Sequence, residues 1–195
     1  MERPKITGIV LAGGKSSRMG SDKSKLMIRG KTLIEYSIDA LKPLCETIII
    51  SSNKDIYAYT GCEVWPDERP DGSPMIGIYS CLKRSPTEYN IILSCDMPLI
   101  NTFLLEYLLE NAMESDITVP IHGDHLIEPL CGLYKKACIP VLKNFIDKGN
   151  FRLNECIRST SHRLTMIDQT TNFSGHIFSN INTMDDFQKL LISIF

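Results

Sequence analysis

Ile6-Thr7-Gly8-Ile9-Val10-Leu11 is an apolar, β-branched run too short to make a helix, and it reads as a buried strand. It opens directly into Leu11-Ala12-Gly13-Gly14-Lys15-Ser16-Ser17-Arg18-Met19-Gly20-Ser21-Asp22-Lys23, a loop rich in glycine, serine and basic residues. Beyond the loop, Thr32 can cap a helix that carries Leu33, Tyr36, Ile38 and Leu41 on one side and is stopped by Pro43. The same alternation then repeats. Strands are expected at Thr47 to Ser51, Glu63 to Trp65 and Tyr89 to Ser94, the last apolar enough to be central. A helix from Met75 to Leu82 follows Pro74, and a helix over 101–113 precedes a strand at Ile117 to Val119. Such a βαβ series calls for right-handed crossovers and a mostly parallel sheet covered by helices on both faces, a three-layer α/β/α arrangement.

The remainder is less regular. A strand is expected at Leu130 to Tyr134, a helix at Ala137 to Phe145 and a closing helix at Asp185 to Ile194. With no internal repeat or low-complexity linker, residues 1–195 read as a single domain. Residues 1–120 carry the regular βαβ series, and 121–195 read as an elaboration with a closing helix, a part that in other α/β folds usually walls a second substrate.

Composition removes several classes. A net charge of −2 argues against nucleic-acid binding, and no apolar run approaches the roughly 18 residues of a membrane helix. The seven cysteines form no C-x-x-C pair, which fits reduced thiols and a cytoplasmic protein. His122 and His125 stand three apart in what reads as a polar, solvent-facing turn, without the further thiolates or carboxylates of a zinc site.

The chemistry is expected outside the carboxyl ends of the parallel strands. Glycines 13, 14 and 20 let the first loop bring main-chain N–H groups to phosphate oxygens, while Lys15, Arg18 and Lys23 supply positive charge. Gly8 stands one position too early for a P-loop, so the loop reads as a triphosphate cradle of another kind; the plain alternative is a turn with solvated lysines. Asp96, in Cys95-Asp96-Met97-Pro98 at the end of a central strand, suits Mg²⁺, which takes one or two protein carboxylates and completes its shell with water and phosphate. Asp67 follows the third strand at the same sheet edge and could meet a ribose or base N–H.

Leu11-Ala12-Gly13-Gly14, Arg18-Met19-Gly20, Asp22-Lys23, Cys95-Asp96-Met97-Pro98 and Phe178-Ser179-Asn180-Ile181-Asn182-Thr183, in that order, closely resemble the molybdenum cofactor guanylyltransferases. The resemblance implies a Rossmann-like fold of the nucleotide-diphospho-sugar transferase type. It implies a GTP site in which Leu11, Ala12, Gly13 and Gly14 bind by main-chain groups and Lys23 meets the phosphates, with Ser51, Asp67 and Gly77 near the nucleoside and Asp96 on Mg²⁺. Asn180 and Asn182 would reach the crevice from a late extended segment. Two departures bear on base choice: Ser51 stands where the family tends to have Asn, and Ile76 stands where it tends to have a small residue.

The implied reaction is in-line attack of the terminal phosphate of molybdopterin on the α-phosphorus of GTP, with pyrophosphate leaving. A phosphate monoester with a second pKa of about 6 is mostly dianionic at neutral pH, so no strong general base is required. Arg18, Lys23, Asp96 with Mg²⁺, and loop N–H groups would position and neutralise charge. Glu128-Pro129-Leu130-Cys131-Gly132-Leu133-Tyr134 could line the acceptor pocket, and Arg152 could meet its phosphate. GTP and molybdopterin are the expected partners, with molybdoenzymes or their chaperones downstream. A transferase using CTP or a sugar phosphate, and a non-catalytic nucleotide-binding adaptor, stay open as alternatives.

Overall fold

The computed structural model describes residues 4–13, 23–69, 72–112, 114–168, 171, 173–174 and 176–194. The strands are β1 (Ile6–Leu11), β2 (Met27–Ile28), β3 (Lys31–Thr32), β4 (Thr47–Ser51), β5 (Glu63–Trp65), β6 (Tyr89–Ser94), β7 (Ile117–His122), β8 (Leu126–Ile127), β9 (Cys131–Lys135) and β10 (His162–Ile167). The α-helices are α1 (Leu33–Leu41), α2 (Pro74–Arg84), α3 (Thr102–Glu110), α4 (Ile139–Asp147), α5 (Leu153–Arg158) and α6 (Met184–Ile194).

The main sheet runs β10-β7-β9-β6-β1-β4-β5, with β8 added to β7. β1 pairs in parallel with both β4 and β6, β4 with β5, and β7 with β10. β9 is antiparallel to both of its neighbours and seams the two parallel groups together. The mostly parallel three-layer reading therefore holds. β1, β4, β5 and β6 have the expected limits, and the sheet buries β1 throughout because its run is apolar on both faces.

Local chemistry sets the helix starts. The Thr32 N–H and hydroxyl both donate to Glu35 (2.7 Å each) at the start of α1. Ser73 accepts from the Met75 N–H (3.3 Å) with Pro74 in the first turn of α2, and Asn101 accepts from the Leu104 N–H (3.0 Å) at α3. One face of the sheet packs Ile34, Ile38 and Leu41 of α1 and Leu104, Leu105 and Leu108 of α3. The other packs Met75, Ile78 and Leu82 of α2, Leu142 and Ile146 of α4, and Cys156 and Ile157 of α5. Each such aliphatic side chain contributes about 1.5–3 kcal/mol when fully buried. A smaller cluster joins Ile28, Leu33 and Ile181 to Phe187 and Leu190 of α6.

Several elements depart from expectation. β2 and β3 form a hairpin where only loop was read; its turn places Arg29 (φ 49) and Gly30 (φ 80) in the left-handed region, as two-residue hairpins require. α3 is shorter than 101–113, because Asn111 closes it. β7 continues past Val119 to His122, and the helix expected from Ala137 begins as a single 3₁₀ turn before α4. α5, β8 and β10 were not anticipated. No helix among the described residues is long and apolar enough to cross a membrane.

Candidate active site

The strand order reverses at β1: β4 and β5 lie to one side and β6 to the other, so the crevice opens at the carboxyl ends of β1 and β6. The Ala12 N–H donates to the Ser51 carbonyl (3.0 Å) and the Cys95 N–H to the Leu11 carbonyl (3.2 Å), so the exit of β1 is held between its neighbours. The buried Tyr57 hydroxyl donates to the Ala12 carbonyl (3.2 Å) and lies 3.0 Å from the Ser24 hydroxyl, fixing the loop's departure and its return. Among the described residues, a Cβ on Gly13 would meet only ordinary contacts, Ser51 O at 3.8 Å and Asp67 Oδ2 at 4.0 Å, and the residue is exposed.

Beside it lies a small polar cluster. The buried Ser51 hydroxyl donates to Asp67 Oδ1 (3.1 Å), Asn53 Nδ2 donates to Asp67 Oδ2 (3.4 Å), and the Asp67 N–H donates back to Asn53 Oδ1 (2.9 Å). Burial pushes the Asp67 carboxyl above its ordinary range, against the opposing pull of the Ser51 and Asn53 hydrogen bonds. Gly77, on the first turns of α2, presses on this cluster. A Cβ there would sit 2.8 Å from Ser51 Oγ and 3.3 Å from Asp67 Oδ1. Its neighbour Ile76 points elsewhere, into the core with Ile9 and Ile92, so its bulk is taken up by packing rather than by the crevice.

Across the switch point, the Ser94 hydroxyl donates to Asp96 Oδ1 (2.5 Å) and orients that carboxylate, which is half-buried. The Asp96 carbonyl accepts from the Ile181 N–H (2.9 Å). Ile181 is buried while Asn180 and Asn182 are exposed to either side of it, so the late segment meets the crevice beside Asp96. Asn180 Nδ2 donates to the Phe178 carbonyl (3.3 Å), and the Asn182 N–H donates to Asp186 (3.0 Å). Thr183 and Asp186 cap α6 reciprocally, at 2.8 and 3.1 Å.

A family model described as the MobA-like NTP transferase domain matches residues 8–164. The chain belongs to the MobA-like NTP transferase family. A Flavobacterium johnsoniae protein named probable molybdenum cofactor guanylyltransferase is 37% identical over 191 residues, covering 97% of this chain and 98% of that one. Molybdopterin-guanine dinucleotide biosynthesis protein A of Archaeoglobus fulgidus superposes with a TM-score of 0.80 at 23% identity, over 97% of this chain and 100% of its own, a likeness of fold. A Mycobacterium tuberculosis protein solved in complex with manganese gives 0.73 at 20% identity, over 97% and 99% of the two chains.

Within this MobA-like fold, Leu11, Ala12, Gly13, Ser51, Asp67, Gly77 and Asp96 gather at one sheet edge, with Asn180 and Asn182 beside Asp96. Gly14, Lys15 and Arg18 lie outside the described residues, and of Lys23 only the backbone, in a short 3₁₀ turn, is described. Arg152 is exposed and pairs with Glu155 one turn along α5 (2.8 Å). Asn53 and Tyr57 were missed by sequence reasoning, since their partners Asp67 and Ala12 are remote in sequence. His122 is a correction. It does not face solvent from a turn but ends β7, where its ring stacks on Phe178 (centroids 4.3 Å, 18° between planes) and Nε2 lies 3.0 Å from Glu128 Oε1. Val119 and Ile121 keep the strand buried up to that point; the polar turn starts only at Gly123, and His125 is the exposed one.

Proposed function

We propose that the protein transfers GMP from GTP to the phosphate of molybdopterin, forming the guanine dinucleotide cofactor and releasing pyrophosphate. The observation that carries this reading is the meeting of three elements at the switch point: the exposed main chain of Gly13, the oriented Asp67 carboxylate and the oriented Asp96 carboxylate.

The main chain from Leu11 to Gly14 receives the nucleotide, with the room left by a missing Cβ at Gly13 admitting close approach. Asp67, steadied by Ser51 and Asn53, accepts hydrogen bonds from the ribose or base. An acceptor phosphate oxygen forms the new bond to the α-phosphorus as the bond to the β-phosphate oxygen breaks. That oxygen is already ionised at neutral pH, so the protein's task is alignment and charge neutralisation, assigned to Arg18, Lys23 and loop N–H groups. A hard oxygen donor beside a phosphate cradle fits Mg²⁺, with Asp96 as its protein ligand; when bound, Mg²⁺ neutralises triphosphate charge. Asn180 and Asn182 are assigned to the acceptor side. The seven cysteines are free thiols, in keeping with a cytoplasmic setting.

The test is pyrophosphate release from GTP, and separately from CTP, with Mg²⁺ and molybdopterin. Release that requires GTP and acceptor together is the expected result. Release with CTP instead would reassign the base, and GTP binding without acceptor-dependent release would remove molybdopterin as the substrate.

A further inference from the structure

The second half of the sheet brings a group to the crevice edge that the phosphate and nucleoside contacts leave unused. His122 ends β7, and Glu128 lies just before β9, whose antiparallel course starts at that same edge. The loop between them and the reaction centre is pinned: the Cys131 N–H donates to the Glu128 carbonyl (3.2 Å), and the Ser94 N–H donates to the Leu130 carbonyl (2.8 Å). Ser94 is the residue whose hydroxyl orients Asp96. On the other side, Phe178 covers one face of the His122 ring, and Ile181, three residues on, holds the Asp96 carbonyl. The imidazole and its carboxylate are therefore tied to Asp96 by two independent connections.

His122 and Glu128 are each about one-fifth exposed (20% and 19%), enough to be reached yet buried enough for a hydrogen bond to count. Phe178 takes one ring face and Glu128 takes Nε2. Among the described residues, no other group bonds Nδ1 of His122 or Oε2 of Glu128. With Nε2–H donating to the carboxylate, Nδ1 is the ring's acceptor position on the side away from Glu128, and Glu128 keeps Oε2 as a second acceptor. A carboxylate oxygen repels a phosphate and suits a ring N–H or amino donor of a flat heterocycle, and Nδ1 can take a further donor on the other side of the ring.

We infer that His122 and Glu128, braced by Phe178, form the specificity contact for the acceptor, binding ring N–H and amino donors of its heterocycle rather than its phosphate. This rests on the guanylyl-transfer reading for its choice of a pterin, but not for its geometry. His122→Phe keeps the ring stack and removes the nitrogens; Glu128→Gln keeps the shape and replaces one acceptor oxygen by a donor. Both are expected to raise the acceptor KM by about tenfold, the scale of one or two hydrogen bonds, while the affinity for GTP measured without acceptor stays within about twofold. His122→Gln, which restores an acceptor, recovers part of the loss.

Fluorescence titration with plain pterin reads the same contact without chemistry. Binding to the wild type, weakened in both variants, supports the inference even if no pyrophosphate is released, an outcome that would instead overturn guanylyl transfer. No binding of pterin to the wild type, equal binding to all three proteins, or a parallel fall in GTP affinity overturns the inference.

Discussion

The two halves of the sheet present their chemistry differently. From β1 to β6 each polar group of the site follows its strand immediately: Gly13 after β1, Ser51 at the end of β4, Asp67 after β5 and Asp96 after β6. From β7 onward, the groups at the same edge come from a strand end, a loop preceding an antiparallel strand and a segment before α6 that is fastened to Asp96 by one main-chain hydrogen bond. In the first half the strand ends themselves bring the groups to the edge, and contacts such as Tyr57 on Ala12 and Asn53 on Asp67 then steady them. In the second the groups reach that edge only through tertiary contacts, among them Phe178 on His122 and Ile181 on Asp96.

The sharpest way to break this contrast is Asp96→Asn. Turnover should fall by about 10²–10³-fold with thermal stability near wild type, because the charge is lost but the Ser94 contact can persist. Near-normal turnover with Mg²⁺ would strip Asp96 of its assigned role and with it the primacy of the first half.

Gly132→Ala tests the seam. A Cβ there would meet the Thr118 carbonyl oxygen at 2.5 Å and Val119 Cγ1 at 2.7 Å, so β9 and β7 must separate. A loss of about 1–3 kcal/mol is expected in urea unfolding. An unchanged midpoint would mean the two halves are not joined tightly at β9.

Gly77→Ala should weaken GTP binding by about tenfold in a direct titration, since the new methyl group displaces Ser51 from Asp67. Unaltered affinity would separate that cluster from the nucleotide.

The smallest effect concerns Asp67 itself. Its carboxyl titrates higher in the folded protein than in the unfolded chain, so its favourable contribution is full below the ordinary carboxylate value of about 4 and is lost as pH rises through the raised folded value. Asp67→Asn should therefore gain thermal stability relative to wild type at neutral pH compared with acid pH. A difference in melting temperature that does not change with pH would show that the carboxylate is not strained by its burial.

The same contrast explains what could be read from sequence. β1, β4 and β6 are short continuous apolar runs with their functional residues attached, so strands and candidate residues emerged together. β10 did not, because His162, Arg163 and Met166 are exposed along an edge strand and blur its periodicity. The β2–β3 hairpin was hidden by an Arg-Gly turn in place of the stronger Asn-Gly signal. Asn53 and His122 carry no local mark of their contacts, which exist only once Asp67, Glu128 and Phe178 have been folded against them.

The hydrogen bond from Ile181 to Asp96 also joins the end of β6 to a stretch made much later in synthesis. A ribosome delivers β1 through β6 well before Ile181 emerges, and a domain folds as a unit. The Ile181 latch on the Asp96 carbonyl therefore closes only after the late segment has been delivered.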